Sequence, residues 1–401
     1  MPTDARPFLP YGRQEIDEED VAAVVKALRA DFLTTGPAVA AFEGALIERT
    51  GARFAVAVSS GTAALHAACF AAGVREGDEV VVPAITFLAT ANCARYLGAE
   101  PVFADVDPDT GLVTREEIER KVSRRTRAVI PVDLTGRPAD LAGVSEVARS
   151  CGAALIEDAA HSLGASYDGQ PIGSSRHAAM TTLSFHPVKH VTTGEGGAIL
   201  TNDERLAHLL RCFRNHGMVR EGDGLPLENA PDGPWYYEQQ FLGFNYRITD
   251  VQCALGLSQL AKLDRFLERR RALAARYDRL LCEASPLVRP VCPGEDAGRA
   301  AIPAWRSAYH LYAVLIDFEA LGKRRADVVP ALRSRGIGTQ VHYIPVPFQP
   351  YYRARGARPE EFPGARRYSE RTLSLPLFAS MSEGDVDRVV DALAEVLSLP
   401  R

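Results

Sequence analysis

Val21, Val24, Val25 and Leu28 recur at helical spacing directly behind the run Asp17-Glu18-Glu19-Asp20, so the chain is expected to open on an amphipathic helix with carboxylates at its positive end. Short apolar runs then alternate with helical patterns. The runs are Phe54–Val58, Glu79–Pro83, Pro101–Val106, Ala128–Val132, Ala153–Ile156, Met180–Phe185 and Ala198–Thr201. Helical patterns start at Thr62 and after Pro83, and span Thr114–Val122, Leu141–Cys151 and Glu204–Arg214. Strands alternating with helices in this way predict an α/β fold with a largely parallel sheet covered on both faces.

From Thr249 the texture changes. Thr249-Asp250-Val251-Gln252 fits a capping box, and the apolar pattern from Val251 through Leu255, Leu260, Leu263, Phe266, Leu273 and Tyr277 runs toward Cys282. Unbroken, such a helix would span roughly 50 Å and bridge two bodies. Beyond it come a Pro/Gly-containing stretch (Pro286–Pro303), a strand over Tyr309–Ile316, a helix around Ala326–Arg335, an extended run Ile337–Ile344 and a helix Gly384–Leu397. The expected division is a large domain over residues 11–260 and, over 261–401, a bridging helix with a smaller α+β domain.

Composition narrows the partners. The 401 residues carry 46 basic and 51 acidic groups, a net charge of −5, so nothing favours nucleic acid or an anionic membrane. No apolar run is long enough to span a bilayer, and Met1–Pro10 shows no signal-peptide pattern, which predicts a cytoplasmic protein. Seven cysteines without C-x-x-C or metal-like spacing read as reduced core thiols, and no metal site is expected. Only Lys26, Lys121, Lys189, Lys262 and Lys323 are lysines; the other cations are arginines. Any lysine here raises the question of what arginine could not do.

Four segments fall where an open α/β sheet places ligand groups, just beyond the carboxyl ends of strands. Ser59-Ser60-Gly61-Thr62-Ala63-Ala64 is a small-residue turn into a helix. It offers N–H groups and a hydroxyl to an anion, although a plain capped turn would explain it alone. Asp158, in Ile156-Glu157-Asp158, needs a cationic N–H opposite it, which a structural arginine would also supply. Lys189, in Phe185-His186-Pro187-Val188-Lys189, sits among apolar groups and imidazoles that would lower its pKa and favour an amine able to condense with a carbonyl. Phe87, in Pro83-Ala84-Ile85-Thr86-Phe87, offers an aromatic face, with core packing its default role. A phosphate cradle, an acid and a lysine together match the needs of pyridoxal 5′-phosphate.

The motifs S-S-G-T-A-A-L-H, V-P-A-I-T-F, I-E-D-A-A-H-S-L-G-A, S-F-H-P-V-K, T-T-G-E-G-G and G-F-N-Y-R-I-T-D-V-Q-C-A-L-G resemble those of the DegT-type nucleotide-sugar aminotransferases, from about Tyr11 to the C-terminus. Within that family, S-F-H-P-V-K, P-W-Y-Y-E-Q-Q-F-L-G-F-N-Y-R-I-T-D and G-I-G-T-Q-V-H-Y-I-P look most like the pseudaminic-acid branch, the UDP-4-amino-4,6-dideoxy-N-acetyl-β-L-altrosamine transaminases. The resemblance implies a fold-type I aminotransferase using pyridoxal 5′-phosphate. Lys189 would form the Schiff base and shuttle a proton, and Asp158 would hold the pyridine nitrogen protonated. Gly61, Thr62, Ala63 and Ser184 would hold the phosphate, with Phe87 stacking on the ring and His161 at its face or edge. Asn245 would reach the cofactor or substrate from the neighbouring subunit of a homodimer with shared active sites. A UDP-linked keto-sugar would be bounded by Tyr11, the Leu33-Thr34-Thr35-Gly36 turn, Ser60, Ser184, Asn245 and His342-Tyr343-Ile344, with L-glutamate as amino donor. Many relatives carry asparagine after the lysine where this chain has His190, so hydrogen bonding at the mouth of the site is expected to differ. Relatives that deoxygenate instead replace the lysine with histidine; keeping Lys189 points to a transaminase.

Overall fold

Runs of valine and alanine, too short for helices and apolar on both sides, become the strands of a seven-stranded sheet. The computed structural model describes residues 7–220, 223–292 and 304–399. Its main strands are β1 (Phe54–Val58), β2 (Glu79–Pro83), β3 (Glu100–Ala104), β4 (Thr126–Val129), β5 (Ala154–Asp158), β6 (Met180–Ser184) and β7 (Gly197–Thr201), in the order β1-β7-β6-β5-β4-β2-β3. From β3 across to β6 every pairing is parallel, while β7 runs antiparallel to both β1 and β6. Val80, Val81 and Val82 are all buried, as a strand covered on both faces requires.

The covering helices are α1 (Glu18–Leu28), α2 (Pro37–Thr50), α3 (Gly61–Ala71), α4 (Leu88–Arg95), α5 (Arg115–Glu119), α6 (Leu141–Ser150) and α7 (Glu204–Phe213). Asp17 caps α1 in a capping box with Asp20, which accounts for the acidic run at its start. The pattern did not single out α2, an alanine-rich helix that buries little beyond Phe42 and Leu46 as large apolar groups. In α3 every residue from Ala63 to Cys69 is buried, and its small side chains let it lie close against the sheet.

The long helix expected from Thr249 is interrupted. It divides at Lys262 (φ −98°, ψ 0°) into α8 (Asp250–Ala261) and α9 (Leu263–Ala284). Lys262, whose sequence setting suggested no special role, turns its amine into the acids of α1. It pairs with Asp17 and, at 3.0 Å, with Asp20, which is only 1% exposed and also accepts from Gln259 Nε2 at 2.7 Å. Helix α9 then serves two cores. Leu263 and Leu267 pack with Phe42, Leu183 and Phe185, whereas Leu273, Tyr277 and Leu281 join Tyr312, Val314 and Leu373.

The second core is closed by a three-stranded antiparallel sheet of Val288–Pro290, Tyr312–Ile316 and Thr372–Leu375, with Tyr312–Ile316 in the middle, and by a final helix Glu383–Leu397 capped by Ser382. The expected strand Tyr309–Ile316 begins three residues late because Tyr309 adopts φ 47° and turns the chain. Ile337–Ile344 is not a strand. It makes single bridges at Ile337 to Leu9 and at Gln340 to Ser374, then crosses the molecule. Most of the expected Pro/Gly stretch, residues 293–303, lies outside the described residues. Cys69, Cys93, Cys212 and Cys253 are buried as expected, but Cys282 is exposed. Among the described residues no helix is long and apolar enough to cross a membrane, and no group of side chains could hold a metal ion.

Candidate active site

The carboxyl ends of β1, β5 and β6 converge on one cavity of about 690 Å³. At β1, Ser60 caps α3 and accepts the Ala63 N–H at 3.1 Å. The N–H groups of Gly61 and Thr62 therefore stay open toward the cavity, with no acceptor among the described residues. Glycine is required here by close approach: a Cβ on Gly61 would stand 2.9 Å from Ser184 Cβ, and one on Gly197 would stand 2.5 Å from Ser60 O. The result is an anion cradle at a helix N-terminus, flanked by the Ser184 hydroxyl.

Asp158 ends β5. Its carboxylate accepts from Thr90 Oγ1 at 2.7 Å and from Ala160 N at 3.2 Å, and Thr86 Oγ1 lies 2.7 Å behind Thr90 Oγ1. Burial raises its pKa, partly offset by these bonds and by the Lys189 charge. Lys189 sits in the loop between β6 and β7, held where its N–H donates to His186 O at 2.8 Å and where Thr193 N closes on Phe185 O at 3.0 Å. Burial lowers the Lys189 pKa to about 8 against the opposing pull of Asp158, so a neutral amine is accessible near physiological pH.

Imidazoles form one wall. The His161 ring lies 4.3 Å from His310 and its Nε2 is 3.4 Å from Tyr343 Oη, while His310 lies 5.6 Å from His190. Burial, then the Lys189 charge, hold His161, His310 and His342 below the usual imidazole range, His342 down to about 3. The lysine is thus surrounded by neutral rings.

A family model for the DegT/DnrJ/EryC1/StrS aminotransferases matches residues 14–394. The chain belongs to that family. It is 39% identical over 97% of its length, and 97% of the relative's, to the spore coat polysaccharide biosynthesis protein SpsC of Bacillus subtilis. Two solved structures superpose at a TM-score of 0.87, each covering 98% of this chain and 99% of its own. They are Helicobacter pylori PseC, an aminotransferase involved in the biosynthesis of pseudoaminic acid, at 28% identity, and the sugar aminotransferase Spr1654 of Streptococcus pneumoniae in its pyridoxal-phosphate form, at 27%. The protein is a pyridoxal-phosphate-dependent sugar aminotransferase with the fold-type I architecture.

The residues present fit that cofactor. The cradle has no room for a Cβ, its helix-terminal donors are open, and His161 Nδ1 is a buried nitrogen without a partner in the cavity wall. Gly61, Thr62, Ser184, Asp158, His161 and Lys189 all border the cavity, as do Phe87 (58% exposed) and Ser60. So do Tyr11, His342, Tyr343 and Ile344. Ala63 and the Leu33–Gly36 turn, expected at the site, do not border this chain's own cavity, and Asn245, expected from the neighbouring subunit, lies outside it. Ala63 is buried with its N–H on Ser60 Oγ, so it is not a cradle donor. The Leu33–Gly36 turn and Asn245 lie elsewhere. Gly36 N and Ala38 N donate to Asp250 at 2.8 and 2.9 Å, and Thr35 and Gly36 border a second hollow with Asn215 and Arg247. Asn245 is exposed and bridges Asn215 through the backbone. His190 is also not at the mouth: it is buried, with Nε2 2.9 Å from Ala308 O.

Two site residues went unrecognised in the sequence. Thr90 carried a usable signal, since it follows Thr86 by one helical turn at a strand end. His310 carried none, because it arrives from the far part of the chain, pinned by Arg270 Nη1 donating to Tyr309 O, His310 O and Leu377 O.

Proposed function

We propose that the protein moves an amino group from L-glutamate to C4 of a UDP-4-keto-6-deoxy-N-acetylhexosamine, UDP-2-acetamido-2,6-dideoxy-β-L-arabino-hexos-4-ulose, in a pseudaminic-acid-type pathway. The observation that carries the reading is the placement of Lys189 and Asp158 in one cavity with an open anion cradle, in a space within the range of small-molecule sites and larger than the cradle alone requires. Bound pyridoxal phosphate supplies an electron sink. Gly61 and Thr62 N–H with Ser184 would bind its phosphate, Asp158 would hold the proton on its ring nitrogen, and Phe87 and His161 would pack against the ring. Lys189 Nζ would take up and return the proton of the donor Cα, a task suited to an amine whose pKa burial has lowered to about 8. Tyr11 and the His342-Tyr343-Ile344 segment face the sugar.

Among the described residues bordering the cavity, Lys189 is the only lysine or arginine, in a chain with 46 such groups. A nucleotide diphosphate and a dicarboxylic donor need more positive charge than that. Arg211 and Arg247, which border a hollow with Thr35 and Gly36 of the Leu33–Gly36 turn, supply it in this reading from the second copy of a homodimer, with the exposed Asn245 adding a neutral hydrogen-bonding group. Mixing Lys189→Ala and Asn245→Ala chains is then expected to restore about a quarter of wild-type turnover, because half the dimers are hybrids with one intact site. No recovery in verified hybrids would exclude shared sites. The bulk of residues 11–260 would form the large domain and 261–401 the small one. The thiols of Cys69 and Cys93, with Cys69 Sγ donating to Cys93 Sγ at 3.4 Å and no disulfide between them, suit the reducing cytoplasm.

The nearer sequence match to SpsC favours a second reading, the same chemistry on another nucleotide keto-sugar. Offering glutamate with the L-arabino 4-keto sugar or its non-epimerised counterpart, and solving the product by NMR, separates the two. Exclusive use of the second substrate would remove the pseudaminic assignment.

A further inference from the structure

Helix α9 carries a buried cation that ties two borders of the cavity together. Arg270 is 2% exposed, and burial lowers its pKa only to about 10, so the guanidinium stays charged at physiological pH. Its Nη1 donates to three backbone carbonyls, Tyr309 O at 3.3 Å, His310 O at 3.2 Å and Leu377 O at 3.0 Å. Hydrogen bonds from a charged donor are stronger than neutral ones, and a single nitrogen shared among three acceptors fixes their mutual spacing. The two segments it joins are far apart in the sequence and reach different parts of the site.

The first segment carries the imidazole wall. It is seated on the loop beyond β4, where Ala308 N donates to Gly136 O at 3.0 Å and Leu311 N to Thr135 O at 3.1 Å. Gly136 (φ 104°) leaves no room for a side chain, since a Cβ would stand 2.8 Å from both Tyr309 N and His310 N. His310, so placed, lies 4.3 Å from His161, ring to ring. The second segment carries Tyr11. Leu377, whose carbonyl Arg270 holds, donates its N–H to Tyr11 O at 3.0 Å, and Tyr277, further along α9, donates its hydroxyl to Pro376 O at 2.9 Å. The Tyr11 ring lies 5.4 Å from His342, and a Cβ on the following Gly12 would stand 3.5 Å from Val188 Cβ, next to Lys189. Tyr11, Val188, Lys189, His161, His310 and His342 border one cavity, and Arg270 holds two of its sides from behind.

We propose that Arg270 is a positioning residue that sets the spacing between the His310–His161 wall and Tyr11, and so serves cofactor binding and acceptor binding through one side chain. The inference rests on the proposed function for two roles, His161 packing against the cofactor ring and Tyr11 facing the sugar.

The test compares wild type with Arg270→Met. Arg270→Lys, a bond shorter, keeps the charge but cannot reach all three carbonyls, and it serves if the methionine variant does not fold. Two quantities are read: the rate at which the diluted holoenzyme loses the cofactor's visible band, and KM for the 4-keto sugar. Both are expected to rise about tenfold, the size of one lost charge-assisted hydrogen bond, while kcat stays within about threefold. Made in a His310→Ala background, the same substitution should speed cofactor loss by less than about twofold, and in a Tyr11→Ala background it should raise KM by less than about twofold, because the group through which it acts is already gone. A merely structural role would lower the unfolding midpoint and give the same ratios in every background; such additivity overturns the proposal, as does a change on one side of the cavity alone. The cofactor readout needs no sugar. If wild type rejects the 4-keto sugar, that substrate reading falls, and Arg270 is still judged on cofactor loss and on KM for whichever nucleotide keto-sugar wild type accepts.

Discussion

Lys189→Arg is expected to lower turnover by at least about 10⁴-fold and to abolish the visible band that pyridoxal phosphate gives when bound to protein. Arginine keeps the positive charge but cannot condense with a carbonyl at any accessible pH. The surroundings sharpen the effect. Lys189 stands among His161, His310 and His342, all held neutral by burial, so a permanent guanidinium gains no compensating partner beyond Asp158. Circular dichroism of the variant should match wild type, because Lys189 lies in a loop whose bonds run through the backbone of His186, Phe185 and Thr193. Turnover within tenfold of wild type would remove Lys189 from the chemistry.

Asp158→Asn is expected to cost about 10³-fold in kcat, with a much smaller change in cofactor affinity. Asparagine can still accept from Thr90 Oγ1 or Ala160 N through its single carbonyl oxygen, so the local scaffold survives. What it cannot do is hold a proton on a ring nitrogen, because it carries no charge. The Thr86–Thr90 hydroxyl pair fixes which way the carboxylate points, and Thr90→Val is a milder version of the same lesion. A fall in kcat below about tenfold for Asp158→Asn would mean that the cofactor ring does not depend on this carboxylate.

The parts of the site that were legible in the sequence are those set by local pattern. Ser60, Gly61, Asp158, Ser184 and Lys189 each follow an apolar run, and strand ends are where such a sheet presents side chains. The sheet itself was legible for the same reason, since valine runs and intervening helices repeat in order. Long-range geometry was not. His310 borders the same cavity as Lys189 and is held there by Arg270, far away in α9, which grips the backbone of residues 309 and 310. His190 follows Lys189 directly yet turns inward to Ala308 O, and no sequence rule gives that direction. Lys262 looked unremarkable until the fold brought Asp17 and Asp20 against it. Ala63 was assigned to the cradle by its place in the motif, but the cap formed by Ser60 takes its N–H first.

The central claim is that Lys189 is the amine to which the cofactor attaches. Reducing the loaded protein with borohydride, digesting it and mapping the pyridoxyl mass by tandem spectrometry tests this without any assumption about substrate. The label is expected on the peptide containing Lys189 and to be discharged beforehand by L-glutamate; a label on Lys26, Lys121, Lys262 or Lys323, or none at all, would contradict the account.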